Sequence, residues 1–353
     1  MKICKYFKSA MLVLCLAIGI TACNDNNSMN VEPEPEMYTI NLGWDGEIIN
    51  VMYEPLTRTT TSDLYGIQVY STPNNTLSEN ETATWTPYAF GLFDNPDIIS
   101  INLIKGYKYW FVATMVKEGK DKINSSNKES FSAPFAHYAT EGYMSYTQLN
   151  NTFNYGTIGY INGGITSQLS SSYTHLIDRQ LYNHPNTDRF YGELINFIPS
   201  ETNTSANIHM KRVAFGAKFI AQGQYATQGT LDIHINNAPE MSLELTDGDN
   251  IISDIFTFSD LAAAWSNNAY IEEISVTLTW TRPDGSTLPL GTHNINYQRN
   301  TTTVVTVNIE NISHSNSLGF IYDETYTDVI PEDNSLDVTI TDGEIVDTDI
   351  DSN

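Results

Sequence analysis

Short runs of alternating apolar and polar residues dominate the sequence from residue 37 onwards. In residues 107–116 the odd positions hold Tyr, Tyr, Phe, Ala and Met, which is the two-residue period of a β-strand. The dipeptide Asp45-Gly46 suits a tight turn and predicts a hairpin between the strands at residues 38–42 and 48–53. Helical periodicity is nearly absent, so we predict a β-sandwich of about seven strands over residues 37–140. The further strands predicted in it lie at residues 38–42, 48–53, 64–70 and 98–104.

The same pattern returns after residues 141–206, a region rich in Tyr, Asn, Ser and Gly with a weaker signal. There, residues 167–181 predict a short helix or an excursion, and residues 190–197 predict the first strands of a second domain. Residues 258–265 give the best helix pattern, and Pro283-Asp284-Gly285 predicts a turn. The remaining strands are predicted at residues 208–220, where Gly216 marks a candidate bulge, and at 230–235, 270–280, 288–297 and 302–309.

These patterns predict an all-β fold of two tandem β-sandwich domains, immunoglobulin-like or transthyretin-like, with one or two short helices. The first domain covers residues 37–140. The second covers residues 141–310 and includes the irregular region as its first part.

The N-terminus has the features of a secreted lipoprotein. Three lysines precede an apolar run at residues 10–20, and the small residues Thr21 and Ala22 precede Cys23. The pattern resembles a bacterial lipobox, which implies removal of a signal peptide of residues 1–22 and a lipid on the Cys23 sulfur. The alternative, a membrane-spanning or buried helix, is less favoured because a span needs about 20 apolar residues. We expect an outer-membrane lipoprotein, anchored by lipid and exposed on the cell surface, with residues 23–36 as a polar tether.

Composition limits the partners and the chemistry. Removing three lysines with the signal peptide leaves 14 basic against 42 acidic residues, a net charge of −28. Nucleic acid is therefore excluded as a partner. Cys4 and Cys15 leave with the signal peptide, so Cys23 is the only cysteine of the mature chain, which excludes disulfides and thiolate catalysis there.

No group of residues forms a recognisable catalytic or metal site. His184, Asp188, Arg189 and Glu193 lie close together in sequence, but a hydrogen-bonded or solvated cluster is favoured over an acid/base or metal site. The acidic strings at residues 247–250 and 347–351 lack the glycine and glutamate positions of a complete calcium loop. We predict no enzymatic activity, no metal and no cofactor. A role of exposed aromatic side chains in stacking on sugars is left open, and the candidates are Trp44, Trp85 and Trp110.

Two further segments carry the functional argument. Arg58 lies in a polar link, residues 55–61, and is a candidate site for proteolytic processing that would release residues 23–58 and open a groove in the first sandwich. An ordinary solvated arginine is the alternative. The acidic tail, residues 311–353, contains a strand-like pattern, which predicts a segment that adds to a sheet of its own chain or of another molecule. Its candidate donor residues are Leu336, Val338, Ile340 and Ile345.

Together these features resemble the fimbrillin-like lipoproteins of the Bacteroidetes, including the subunits and anchors of Fim and Mfa fimbriae. The resemblance rests on the lipobox at Cys23, the two sandwiches, the string at residues 56–60 before residues 65–70, and residues 188–193 ahead of residues 211–216. It implies that an arginine-specific protease removes an N-terminal strand and that a C-terminal strand of a neighbouring subunit fills the vacated groove. By resemblance, Arg58 is the processing position and residues 336–346 are the donor segment.

The leading hypothesis is therefore a cell-surface lipoprotein that serves as a structural fimbrial subunit or fimbrial anchor in cell adhesion. Its expected partners are the membrane, through Cys23, and other fimbrial subunits, by strand addition. A host protein or glycan is left open. The alternative is a glycan-binding surface lipoprotein of a polysaccharide-uptake system, and an enzyme ranks third.

Overall fold

A computed structural model describes residues 35–48, 62–75, 84–138, 144–156, 171–309 and 324–327. The all-β class is confirmed, since strands dominate and this part of the chain contains only two short α-helices, α1 (Gly119–Lys122) and α2 (Leu261–Ser266), and a 3-10 turn at Pro96–Ile98. None of the described helices is long and apolar enough to cross a membrane.

The strands up to residue 182 are β1 (Met37–Gly46), β2 (Leu64–Pro73), β3 (Thr86–Phe93), β4 (Ser100–Ile104), β5 (Tyr107–Val116), β6 (Ser125–Ser126), β7 (Ser130–Phe131), β8 (His137–Tyr138), β9 (Met144–Ser145), β10 (Thr147–Gln148), β11 (Phe153–Tyr155), β12 (Thr174–His175) and β13 (Leu181–Tyr182). The later strands are β14 (Arg189–Phe197), β15 (Ser205–Arg212), β16 (Ala214–Gln222), β17 (Thr230–Ile235), β18 (Met241–Glu244), β19 (Ile251–Thr257), β20 (Ile271–Thr281), β21 (Thr287–Gln298), β22 (Thr302–Asn308) and β23 (Glu324–Thr327).

Eight strands form the first and largest sheet, in the order β11-β3-β2-β5-β14-β15-β1-β4. Side chains join strands from its opposite ends: the Tyr88 hydroxyl on β3 donates to the Asn102 carbonyl on β4 at 2.7 Å, and the Asn102 N–H donates to the Tyr155 hydroxyl on β11 at 3.0 Å. The odd positions of β5 from Tyr109 to Met115 are fully buried in the core of this sheet, as their alternation predicts.

Smaller sheets lie in the chain between β5 and β14. They are β10-β7-β6, β12-β13 and β8-β9, and a separate cluster of buried apolar residues includes Phe131, Phe135 and Leu176 from this part of the chain. Residues 171–181 contain no helix, so the described part of the predicted excursion is extended chain and turns.

Two four-stranded sheets form a sandwich in the C-terminal part, with the orders β19-β16-β22-β23 and β18-β17-β20-β21. Their core includes Phe215, Phe219, Val276 and Tyr297. The predicted strand at residues 230–235 is confirmed, as is the helix near residue 260, where the Asp260 carboxylate caps α2 by accepting from the Ala263 N–H at 2.9 Å.

The long strand predicted over residues 208–220 is two strands in different sheets. β15 ends at Arg212 in the first sheet, and β16 begins at Ala214 in the second sandwich. Val213 lies between them, with its N–H donating to the Arg189 carbonyl and its carbonyl accepting from Phe258. The sequence changes here from the alternating pattern that ends at Lys211-Arg212 to the apolar residues 213–215, but no glycine or proline marks the break.

β14 and β15 also bear on the domain boundary. Both fall in residues 141–310, which the sequence analysis assigned to the second domain, yet β14 pairs with β5 and β15 in the first sheet. We propose that the boundary between the two sandwich units lies at Val213.

Candidate functional site

The candidate site is the position of β1 within the first sheet. β1 runs antiparallel to β4, with Ile40 opposite Ile101, and parallel to β15, with Trp44 opposite Ile208. β1 is therefore paired with β4 over residues 37–41 and with β15 over residues 41–46. β1 ends at Gly46 and residues 47–48 form a turn; the second strand predicted for the hairpin lies outside the described residues from residue 49 onwards, so the hairpin across Asp45-Gly46 stays a prediction.

Alternate side chains of β1 point into the core. Ile40 is fully buried and Leu42 is 6% exposed, whereas Thr39 faces out and donates its hydroxyl to the Asn102 side-chain oxygen at 2.8 Å. Trp44 is half-buried against Tyr65, with ring centroids 5.7 Å apart. β1 therefore fills a groove whose walls are the backbones of β4 and β15 and whose floor is the apolar core.

β1 is far from the next strand of the chain within the sheet. β5, β14 and β15 lie between β1 and β2. The link between them includes residues 49–61, which lie outside the described residues. Arg58 is one of these. A cut in that link would leave β1 held by its hydrogen bonds and side-chain packing alone.

The end of β1 carries a polar contact to the second sandwich. Arg299, in the turn between β21 and β22, donates to both carboxylate oxygens of Glu47, at 2.8 and 2.9 Å. The Arg212 backbone N–H donates to Glu47 Oε2 at 2.8 Å. Arg299 is almost fully buried and Glu47 is about one third exposed, so we call this contact the Glu47 latch.

Gly46 gives the latch its geometry. Its φ of +84° lies in the left-handed region that glycine adopts without strain, and a Cβ there would lie 2.5 Å from the Met210 carbonyl oxygen. The turn at this glycine lets the Glu47 N–H donate to that same carbonyl at 2.9 Å while the carboxylate faces Arg299.

A second ion pair supports the first. The Arg212 guanidinium donates to both oxygens of Asp188, at 2.7 and 2.6 Å, and stacks over the Phe190 ring at 5.3 Å. Arg299 also donates to the Arg212 carbonyl at 2.7 Å. The ends of β1 and β15 and the β21–β22 turn are thus joined through bidentate pairs, which are geometrically specific.

The charge state of Glu47 follows from these contacts. Burial raises the pKa of the Glu47 carboxyl, but the hydrogen bonds from Arg299 and from the Arg212 N–H, with the nearby positive charges, outweigh burial and hold the pKa below its ordinary value. Glu47 is therefore ionised at neutral pH.

The candidate residues from the sequence fall elsewhere. Cys23, Arg58 and the donor candidates all lie outside the described residues, so they stay predictions; the donor candidates are Leu336, Val338, Ile340 and Ile345. Of the acidic tail, the structure describes β23, which pairs antiparallel with β22 of its own chain.

The cluster near residue 190 divides into separate contacts. His184 Nε2 lies 3.0 Å from Glu272 Oε1, and Asp188 pairs with Arg212. Arg189 is fully buried, donates to Thr114 Oγ1 and the Ser171 carbonyl, and burial lowers its pKa to about 9. Glu193 accepts from the Trp110 indole N–H at 3.0 Å and from the Tyr191 hydroxyl at 2.5 Å. Among the described residues, no three His, Cys, Asp or Glu side chains come together in a way that could hold a metal.

The candidate sugar-binding tryptophans contact other aromatic rings. Trp110 stacks on Tyr70 with centroids 4.8 Å apart, and Trp85 meets Trp110 edge-on at 6.0 Å. Tyr70 and Trp110 lie opposite each other on β2 and β5 and form a cross-strand pair, whereas Trp44 and Tyr65 lie on strands that are not neighbours, and Trp85 precedes β3.

Glu47, Arg212 and Arg299 were missed by sequence reasoning. Glu47 and Arg299 are 252 residues apart, and no local pattern connects them. The one sequence signal at this position is the string Asp-Gly-Glu-Ile, which occurs at residues 45–48 and again at residues 342–345.

No protein-family model matches the chain, and no curated protein matches it. Solved structures similar to it include the fimbrial anchor protein Mfa2 from Porphyromonas gingivalis, with a TM-score of 0.32 and 8% identity, covering 82% of this chain and 95% of that one. The tip fimbrial protein Mfa3 from the same organism has a TM-score of 0.28 and 8% identity, covering 82% and 97%. A candidate cell adhesion protein from Bacteroides eggerthii has a TM-score of 0.35 and 11% identity, covering 83% and 95%.

These neighbours are fimbrial and adhesion proteins of Bacteroidetes, in agreement with the resemblance found in the sequence.

Proposed function

We propose that this protein is a cell-surface fimbrial subunit or fimbrial anchor, held at first by a lipid on Cys23 and assembled by strand exchange at the β1 groove. The observation that carries the proposal is the position of β1. It is an interior strand of the first sheet, three strands lie between it and β2, and the link between the two contains Arg58.

Removal of β1 would create a strong demand for a replacement strand. β4 and β15 would each present a row of unpaired N–H and C=O groups, and the core beneath Ile40 and Leu42 would be open to water. Each unsatisfied polar group costs about 1–3 kcal/mol once buried, and each large apolar side chain contributes about 1.5–3 kcal/mol when buried. A strand from a second copy would satisfy both, and the joint would be stable without a covalent bond.

The experiment is cleavage of the protein isolated from cells with an arginine-specific protease. We expect loss of residues 23–58, followed by a ladder of multimers on unheated denaturing gels that collapses to one band on boiling. The Arg58→Ala variant is the matched control and should stay monomeric under the same treatment, whatever cuts occur at other arginines. A wild-type chain that loses residues 23–58 and remains a monomer would overturn the proposal.

A further inference from the structure

Strand exchange at the β1 groove would remove the carboxylate partner of one buried charge, the Arg299 guanidinium. When β1 leaves its groove, Glu47 leaves with it, and Arg299 loses the carboxylate that accepts two of its hydrogen bonds. A strand that refills the groove covers Arg299 again. Because a buried cation without a partner is strongly unfavourable, the incoming strand has to bring a carboxylate to this point.

The acidic tail carries such a carboxylate in a matching sequence. Residues 45–49 read Asp-Gly-Glu-Ile-Ile, and residues 342–346 read Asp-Gly-Glu-Ile-Val. Glu344 therefore follows a glycine and precedes an isoleucine, as Glu47 does.

Each matched position has a structural role at the end of β1. Asp45 contacts the His209 ring at 2.7 Å, and residue 46 has to be glycine because of its positive φ and its approach to the Met210 carbonyl. Ile48 is fully buried in the core of the first sheet. The repeated string thus has the residue types required to close the groove in the way that residues 45–48 close it.

We infer that Glu344 of a second copy of this chain takes the place of Glu47 and pairs with Arg299, so that the tail of one copy is selected by the latch of the next. This inference rests on the strand exchange proposed above. Gly343 then provides the turn beside Met210, and Ile345 takes the buried position of Ile48.

The apolar residues ahead of the string differ from those of β1 by one residue in register. Leu336, Val338 and Ile340 have the spacing of Tyr38, Ile40 and Leu42, but one residue separates Ile340 from Asp342 where two separate Leu42 from Asp45. Aligned on the string, Ile340 takes the position of Gly43, so the donor fills the inward positions of β1 when β15 takes up the one-residue difference in a bulge. Its direction is that of β1, parallel to β15 and antiparallel to β4.

The test compares three full-length proteins after cleavage at Arg58: wild type, Glu344→Gln, and Asp347→Asn. Asp347→Asn is the matched control because it removes the same charge three residues beyond the string. The dissociation rate of the multimers is measured at neutral pH. We expect a rate about tenfold higher for Glu344→Gln, since loss of one partner of a buried charged pair acts mainly on dissociation, and an unchanged rate for Asp347→Asn.

The outcomes separate this inference from the proposed function. If wild type forms multimers and Glu344→Gln dissociates at the wild-type rate, the latch is refuted while strand exchange stands. If wild type forms no multimers, both are refuted. The uncleaved Glu344→Gln protein should melt at the wild-type temperature, because Glu47 still occupies Arg299 there, and this checks that the variant folds.

Discussion

At the scale of single residues, Glu47 connects two parts of the chain that no sequence pattern relates. Its carboxylate accepts two hydrogen bonds from Arg299 and one from the Arg212 N–H. Gly46 places it there, because any side chain at residue 46 would collide with the Met210 carbonyl. The energetic weight of this contact can be measured in the uncleaved protein.

Glu47→Gln should lower the free energy of unfolding of the uncleaved protein by about 1–3 kcal/mol at neutral pH, the range for hydrogen bonds to charged groups. Urea unfolding of both proteins gives the value. Glu201→Gln, on an exposed residue between β14 and β15, is the control and should change stability by less than about 0.5 kcal/mol. Equal stability of Glu47→Gln and wild type would mean that the latch contributes nothing to the fold.

The difference in stability between wild type and Glu47→Gln depends on pH, and its direction follows from the pKa of Glu47. The folded-state pKa of Glu47 lies below its ordinary value of 4.5, so the stabilisation is fully present above pH 4.5 and is lost as the pH falls through the folded pKa. The gap between wild type and Glu47→Gln should therefore narrow below pH 4.5. A gap that widened in acid would contradict an ionised Glu47.

At the scale of elements, β1 contributes to the stability of the monomer only while it occupies its groove. Ile40→Ala should destabilise the uncleaved protein by about 2–4 kcal/mol, because Ile40 is fully buried in the first core. Thr39→Ala, on the outward face of the same strand, is the control and should cost less than about 1 kcal/mol. Thermal or urea unfolding measures both.

The same pair of variants tests whether β1 is discarded. After cleavage at Arg58, multimers of Ile40→Ala should dissociate at the wild-type rate, since residue 40 has left with β1. A multimer weakened by Ile40→Ala would show instead that β1 stays in its groove, and strand exchange would then be excluded.

The strands also show which structural features the sequence alone could predict and which it could not. Alternation identified β5 and β17 and their buried faces, because the two-residue period depends only on the strand itself. It did not identify neighbours. One of the two partners of β1 is β15, more than 160 residues away, and a parallel pair of this kind leaves no turn sequence between its strands.

The same limit explains the placement of β14 and β15. Position in the chain suggested the second sandwich, whereas backbone pairing puts them in the first sheet. Sequence alone therefore predicted the class and most strands. The candidate site needed the sheet order and the contact between Glu47 and Arg299.

At the scale of the whole molecule, a groove can hold one strand at a time. Under the proposed strand exchange, a chain that keeps residues 23–58 fills its own groove with β1 and cannot accept a donor, but would still donate its tail. An anchor that retains the lipid on Cys23 can therefore occupy only the end of an assembly at which no donor enters.

The N-termini within an assembly follow from this restriction on the groove. Multimers isolated from cells should consist of chains that begin at Thr59, with chains that begin at acylated Cys23 confined to one terminal subunit. N-terminal sequencing and intact mass of the separated bands measure the ratio, which should fall as the multimers lengthen. Cells that produce Arg58→Ala should yield only chains that begin at Cys23, none of them in multimers. Long multimers composed entirely of chains that begin at Cys23 would mean that the subunits join through a surface other than the β1 groove.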